Sequence, residues 1–361
     1  MKKHYNIEFL RFFFSILIVL YHLLHANIMP YVGEHAVYLK MQGMTEWSSL
    51  MVECFLIMGG YFLYVSYERA PEKPFMEYAV NRFVRLWPVF AFYTLCTLLL
   101  GGKISEDTLL DLAFLRCTGI SLSYKGIIWY IAPFFWSSLL IFAILKYCRH
   151  GVSGILIALI CYFGYAINLN NTDGKLGRYV VYGFLSLGFL RVLAGMCLGC
   201  LIGMAVSSSR GILSHSRTPF RCFVVSCAEI GSFLALLLLF LTNAFQVKNA
   251  FSGIILFSIL FLCFLSEEGI LSRLLNRRIF AWFGKYAYAI YVMQQVSFYI
   301  LARTFWKNTS FLCEHVVSTI LISLAFCVLV GFVTYHLIEK PAVTLFKKWE
   351  SRNQAAVLSP E

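Results

Sequence analysis

The sequence predicts an all-α, polytopic integral membrane protein of about ten transmembrane helices, with no separate soluble domain. Three observations lead to this class. Apolar runs of about 18 or more residues recur along the whole chain, the length a helix needs to cross a bilayer. Hydrophobic residues fill 60% of the 361 positions and charged ones only 13%, which excludes both a soluble globular protein and a disordered one. With the N-terminus in the cytoplasm, the segments that alternate inside collect most of the Lys and Arg, as the positive-inside rule requires. The formal charge of +12 belongs to those inner segments. No basic run with interleaved aromatics lies outside the membrane, so the lipid bilayer is an expected partner and nucleic acid is not.

The candidate spans lie at roughly 7–26, 47–67, 86–101, 127–146, 151–168, 181–206, 222–242, 249–266, 284–303 and 314–338. The first follows Lys2 and Lys3 in the manner of a signal peptide. Its apolar run is too long for one, and it ends in His and Asn without a small-x-small cleavage site, so it reads as an uncleaved span. An even number of spans returns the basic tail (Lys340, Lys347, Lys348, Arg352) to the cytoplasm. The expectation is a plasma (inner) membrane protein with both termini cytoplasmic, a transmembrane domain over 1–345 and a tail over 346–361. The twelve cysteines fall mostly inside spans, where they act as small hydrophobes. Cys197-x-x-Cys200 lies among Gly and Leu with no second pair or nearby His, so no metal site is expected.

The first span carries the most unusual chemistry. Asn6–Asn27 is apolar enough to cross a bilayer yet holds Glu8 and Arg11 at one end and His22 and His25 towards the other. Ionisable groups within a span are costly and rarely face lipid, so they point to function. Arg11 and His22 are eleven residues apart, close to three helical turns, so they project from one face about 16 Å apart along the axis.

Later spans add three further features. Glu53 sits in an apolar context in span two, at about the depth of His22. It is expected to orient that imidazole, or else to be protonated or bonded to a backbone group elsewhere. Before span three, Phe75–Leu86 reads as an amphipathic helix with Arg82 and Arg85 on one face, ended near Trp87 by Pro88. That pair either binds an anion or only marks the inner side. Arg191 lies deep in span six, requiring a paired acid or a cavity with an anion, and Gly195, Gly199 and Gly203 follow it as a helix-packing stripe.

With these residues in hand, the chain resembles the acyltransferase 3 family of integral membrane O-acyltransferases. Arg11-x10-His22, with Glu8 before it, matches the first-span signature. Val52-Glu53-Cys54-Phe55 through Gly59-Gly60-Tyr61 matches the second-span pattern, with Glu for Asp and Gly59 for Ser. Arg82-Phe83-Val84-Arg85 with Pro88 matches R-x-x-R, and Tyr335-His336-Leu337-Ile338-Glu339-Lys340-Pro341 matches the C-terminal element. Gln294 stands where members often have His, leaving His22 as the well-matched base.

The resemblance implies transfer of an acyl group, usually acetyl, from cytoplasmic acyl-CoA to a hydroxyl of a cell-surface glycan or lipid-linked sugar precursor. Acyl-CoA is then a co-substrate, and no bound cofactor is expected. His22 would be the base, with Glu53 its orienter. Arg11, Arg82 and Arg85 would hold the CoA phosphates, and Arg191 would meet the thioester oxygen or a substrate anion. Two other classes remain open: a transporter or flippase of a lipid-linked glycan, and a family member that has become a partner or sensor.

Overall fold

A computed structural model of the chain describes residues 4–44, 50–120, 126–181, 185–208, 218–241 and 250–358. Lys2, Lys3, His215 and the start of the expected second span lie outside the described residues. The chain is a bundle of helices, labelled α1 (Tyr5–His22), α2 (Met51–Arg69), α3 (Phe75–Leu99), α4 (Ile131–Tyr147), α5 (His150–Asn170), α6 (Leu187–Ser208), α7 (Pro219–Leu241), α8 (Phe251–Ser266), α9 (Ala287–Arg303), α10 (Val316–Thr334) and α11 (Lys340–Leu358). Between α5 and α6 a short antiparallel pair joins Val180–Val181 to Leu185–Ser186.

Helices occupy all ten expected positions, but six among the described residues are long and apolar enough to cross a membrane: Tyr5–Asn27, Phe75–Leu99, His150–Asn170, Leu187–Ser208, Pro219–Leu239 and Val316–Arg352. α4 and α8 are apolar but shorter. α9 has 17 residues and carries Gln294 and Gln295, and α2 carries Glu53. The expected count of ten spans is therefore not established. α4, α8 and α9 fall short in length, and α2 in mean apolarity, which weakens a signal based on both.

One boundary differs from expectation. Pro88 does not end a helix: α3 runs unbroken from Phe75 to Leu99 with the proline inside it. Proline removes one backbone hydrogen bond, a loss that transmembrane helices tolerate when neighbouring helices hold both flanks. Here Trp87 Nε1 donates to the Leu112 carbonyl at 3.0 Å and Tyr288 Oη to the Leu86 carbonyl at 2.7 Å. At the C-terminus α10 passes through a π turn, Tyr335–Glu339, into α11.

The core centres on α2 and α6, where the glycine stripe acts as the spacing predicts. A Cβ on Gly199 would lie 1.9 Å from the Ile57 carbonyl oxygen, and one on Gly60 1.8 Å from that of Met196. The two backbones meet with no room for a methyl group, close packing that only small residues permit. α1 sits beside this core with Ile7, Leu10, Phe14 and Ile18 buried. Its other end packs in a second apolar cluster with α9 and α10, through Val19, Leu23 and Leu24. Glu8 is tightly covered by the short helix Arg278–Gly284, where a Cβ on Gly284 would fall 2.3 Å from the Glu8 carboxylate.

Candidate active site

α1 is α-helical from Tyr5 through His22, so the eleven residues from Arg11 to His22 span about 16 Å along one helix face. At His22 the helix changes. Leu23–Asn27 forms a π turn, and Asn27 Nδ2 donates to the His22 carbonyl at 2.7 Å. π turns recur at functional sites because the extra residue shifts which side chains share a face. Both His22 and His25 line one cavity.

Three cavities follow α1 from end to end. The first, about 520 Å³, lies at the Arg11 end and is lined by Arg11, Arg85, Lys285, Glu339, Lys340 and Lys347 among others. The second, about 340 Å³, is lined by Arg11, Arg82 and Arg85 together with Tyr130, Tyr288 and Tyr291. The third, about 610 Å³, holds His22, His25, Trp129, Arg178, Arg191 and Tyr291. Arg11 and Arg85 line both the first and second, and Tyr291 lines both the second and third. The cavities thus form a file along α1, with Tyr291 as the wall before His22. That wall is braced: the Tyr291 ring is 4.8 Å from Tyr130, and its hydroxyl donates to the Ile127 carbonyl.

At the Arg11 end cations dominate. Arg11 Nη1 pairs with Glu8 at 3.1 Å. The Arg82 guanidinium lies 4.5 Å from the Phe134 ring centre, and its Nε and Nη2 are buried without a hydrogen-bond partner among the described residues. Guanidinium forks with free donors, backed by an aromatic face, suit phosphate oxygens. Glu339 Oε2 is likewise buried without a described partner.

At the other end the arrangement departs from expectation. Glu53 does not contact His22 among the described residues. It is 2% exposed, and its two oxygens take Arg191 Nε and, at 2.9 Å, the Tyr165 hydroxyl. Arg191, 4% exposed, also donates Nη1 to the Leu176 carbonyl at 3.2 Å and lies 5.4 Å from the Trp129 ring. The physical reason is charge: a guanidinium buried this deeply needs a carboxylate more than an imidazole does. Gly195 makes room for the pair, since a Cβ there would fall 3.0 Å from Glu53 Oε2. Glu53 is therefore a partner of Arg191, and Arg191 both pairs with an acid and faces the His22 cavity.

Six residues were singled out for the site. The structure brings Arg11, Arg82 and Arg85 together at one end, His22 and Arg191 at the other, and places Glu53 behind Arg191. Sequence reasoning missed Arg178, Trp129, Tyr130 and Tyr291. Arg178 counts in sequence as one more basic loop residue, and an aromatic among so many others carries no signal of its own.

Residues 4–336 match the family model of the acyltransferase domain called acyltransferase 3, nearly the whole chain. The chain belongs to that family, which with its apolar helices makes it a membrane acyltransferase. No curated protein and no solved structure gives a match.

Proposed function

We propose that the protein transfers an acyl group, acetyl in the simplest case, from acyl-CoA to a hydroxyl of a cell-surface glycan or lipid-linked sugar precursor. It would do so in the plasma membrane with both termini in the cytoplasm. The observation that carries this reading is the succession of three cavities along α1 from the Arg11 end to His22, adjacent ones sharing lining residues and the last two separated by Tyr291. Phosphates of CoA dock at Arg11, Arg82 and Arg85. The thioester arm extends past Tyr130 and Tyr291 into the third cavity, where the acceptor enters from the opposite side. An extended pantetheine arm is suited to the ~16 Å between Arg11 and His22.

His22 then takes the proton of the acceptor hydroxyl as its oxygen attacks the thioester carbonyl. The new C–O bond forms, the C–S bond breaks, and the proton passes to the CoA sulfur, leaving His22 neutral for the next cycle. A transient acyl-histidine uses the same geometry. Arg191, held in place by Glu53, is one cation available to the developing oxyanion or to an anion on a substrate. Its fixed ion pair supplies the preorganisation such stabilisation needs.

The test is acetyl-CoA-dependent acetylation of a glycan acceptor by purified variants that insert and fold. His22→Ala should lower turnover about 10²–10⁴-fold, the usual contribution of a general base. Undiminished turnover would remove His22 from the chemistry. Arg11→Ala should act mainly on the KM for acyl-CoA. A transporter or flippase would instead move its substrate without consuming acyl-CoA.

A further inference from the structure

The His22 cavity differs chemically from the Arg11 end. Its described lining includes the aromatic rings of Tyr21, Trp129 and Tyr179 and the cations Arg178 and Arg191, and no Asp or Glu. Arg191 is neutralised by Glu53. Arg178 is not: it forms no ion pair among the described residues. Its described contacts are one hydrogen bond, Nη1 to the Gly126 carbonyl at 3.0 Å, and the Trp129 ring at 6.0 Å. A guanidinium has five N–H donors, so a fork-shaped set remains for a ligand.

The segment bearing Arg178 is held firmly. Asn168 grips the preceding Gly177 from both sides, accepting from its N–H at 2.9 Å and donating to its carbonyl at 3.2 Å. The Tyr179 carbonyl accepts from the Leu187 N–H at 2.9 Å. An arginine fixed by its backbone, uncompensated, and facing a cavity of about 610 Å³ is a preorganised anion receptor. The aromatic rings around it offer apolar faces of the kind on which sugar rings pack.

We propose that the acceptor is an anionic sugar whose carboxylate or phosphate is bound by Arg178, with its ring against Trp129 and its hydroxyl presented to His22. This deepens the acyl-transfer reading of the His22 cavity and rests on it for the word acceptor. The anion site itself is tested without any transfer.

The experiment is calorimetric titration of the purified full-length protein with three probes: methyl glucoside, methyl glucuronide and glucose 1-phosphate. In the wild type, at least one anionic probe should bind 10-fold or more tightly than the neutral one, and the stronger of the two separates carboxylate from phosphate. Arg178→Ala should weaken the anionic probe roughly 10- to 100-fold, as expected for hydrogen bonds to a charged group. It should leave the glucoside unchanged, with retained acetyl-CoA binding as the check on folding. Arg178→Lys should keep part of the preference, because it keeps the charge and loses the fork. Equal binding of all three probes by the wild type, binding of neither anion, or an equal loss for every probe in Arg178→Ala would overturn the proposal. An intact anion preference without acetyl transfer to any acceptor would instead count against the acyltransferase reading alone.

Discussion

Glu53→Gln separates two roles for this carboxylate. The change keeps the side chain's volume and an acceptor for the Tyr165 hydroxyl at 2.9 Å, but removes the charge facing Arg191. Both partners are almost fully buried, at 2% and 4% exposure, so solvent cannot take over the lost compensation. Breaking a buried ion pair by removing one partner costs about 3–5 kcal/mol, most of it the penalty of the orphaned charge. At about 2 °C per kcal/mol for a chain of this size, the Tm in detergent should fall by roughly 6–10 °C. Replacing both members, Glu53→Gln with Arg191→Met, should recover most of that loss because no buried charge remains. Tm would be followed by intrinsic fluorescence and acetyl transfer by product formation. Unchanged Tm in Glu53→Gln together with a loss of transfer equal to that of His22→Ala would refute the ion-pair account, returning Glu53 to the role of His22 orienter.

Other outcomes follow from particular contacts. Gly199→Ala should prevent α2 and α6 from closing, since its Cβ would lie 1.9 Å from the Ile57 carbonyl oxygen; the expected result is loss of folded protein on size-exclusion chromatography. Tyr291→Ala removes the wall between the second and third cavities and, on the proposed function, should raise the rate with butyryl-CoA relative to acetyl-CoA by roughly 10-fold. In the short helix Glu106–Leu112 between α3 and α4, burial pushes the Asp111 carboxyl up to about 6 from 3.8, outweighing the opposing pull of Arg116. A raised folded-state value favours the protonated form, so this contribution to stability is full below about pH 4 and is lost as pH rises through 6. The stability difference between wild type and Asp111→Asn should therefore shift in favour of the variant between pH 4 and 6.

Much of this protein is legible in its sequence because bilayer physics leaves few choices. Apolar segments of spanning length must be helices, since only a helix satisfies its own backbone in hydrocarbon. The glycine spacing of α6 announced a close helix contact, and Gly199 against Ile57 is one. Arg11 and His22 are related by helix rise alone, so their alignment needed no tertiary information.

What lay beyond that reach is which helix stands opposite which group. Depth in the membrane suggested that Glu53 meets His22, but depth is one coordinate of three. The packing of α2 on α6 turns the carboxylate to Arg191, where an uncompensated guanidinium makes the greater demand. The same holds for Arg178, Tyr130 and Tyr291, which come from a loop, the approach to α4 and α9, and meet only in the folded chain. Pro88 shows the limit of local rules: what it costs α3 locally is outweighed by neighbours that no local reading contains. The sequence by itself determined the helices, the packing stripe and the alignment of Arg11 with His22, because each depends on residues close in the chain. Only the tertiary structure decided the partners of the buried charges and the file of cavities, because those depend on side chains that are distant in sequence and share one low-dielectric interior.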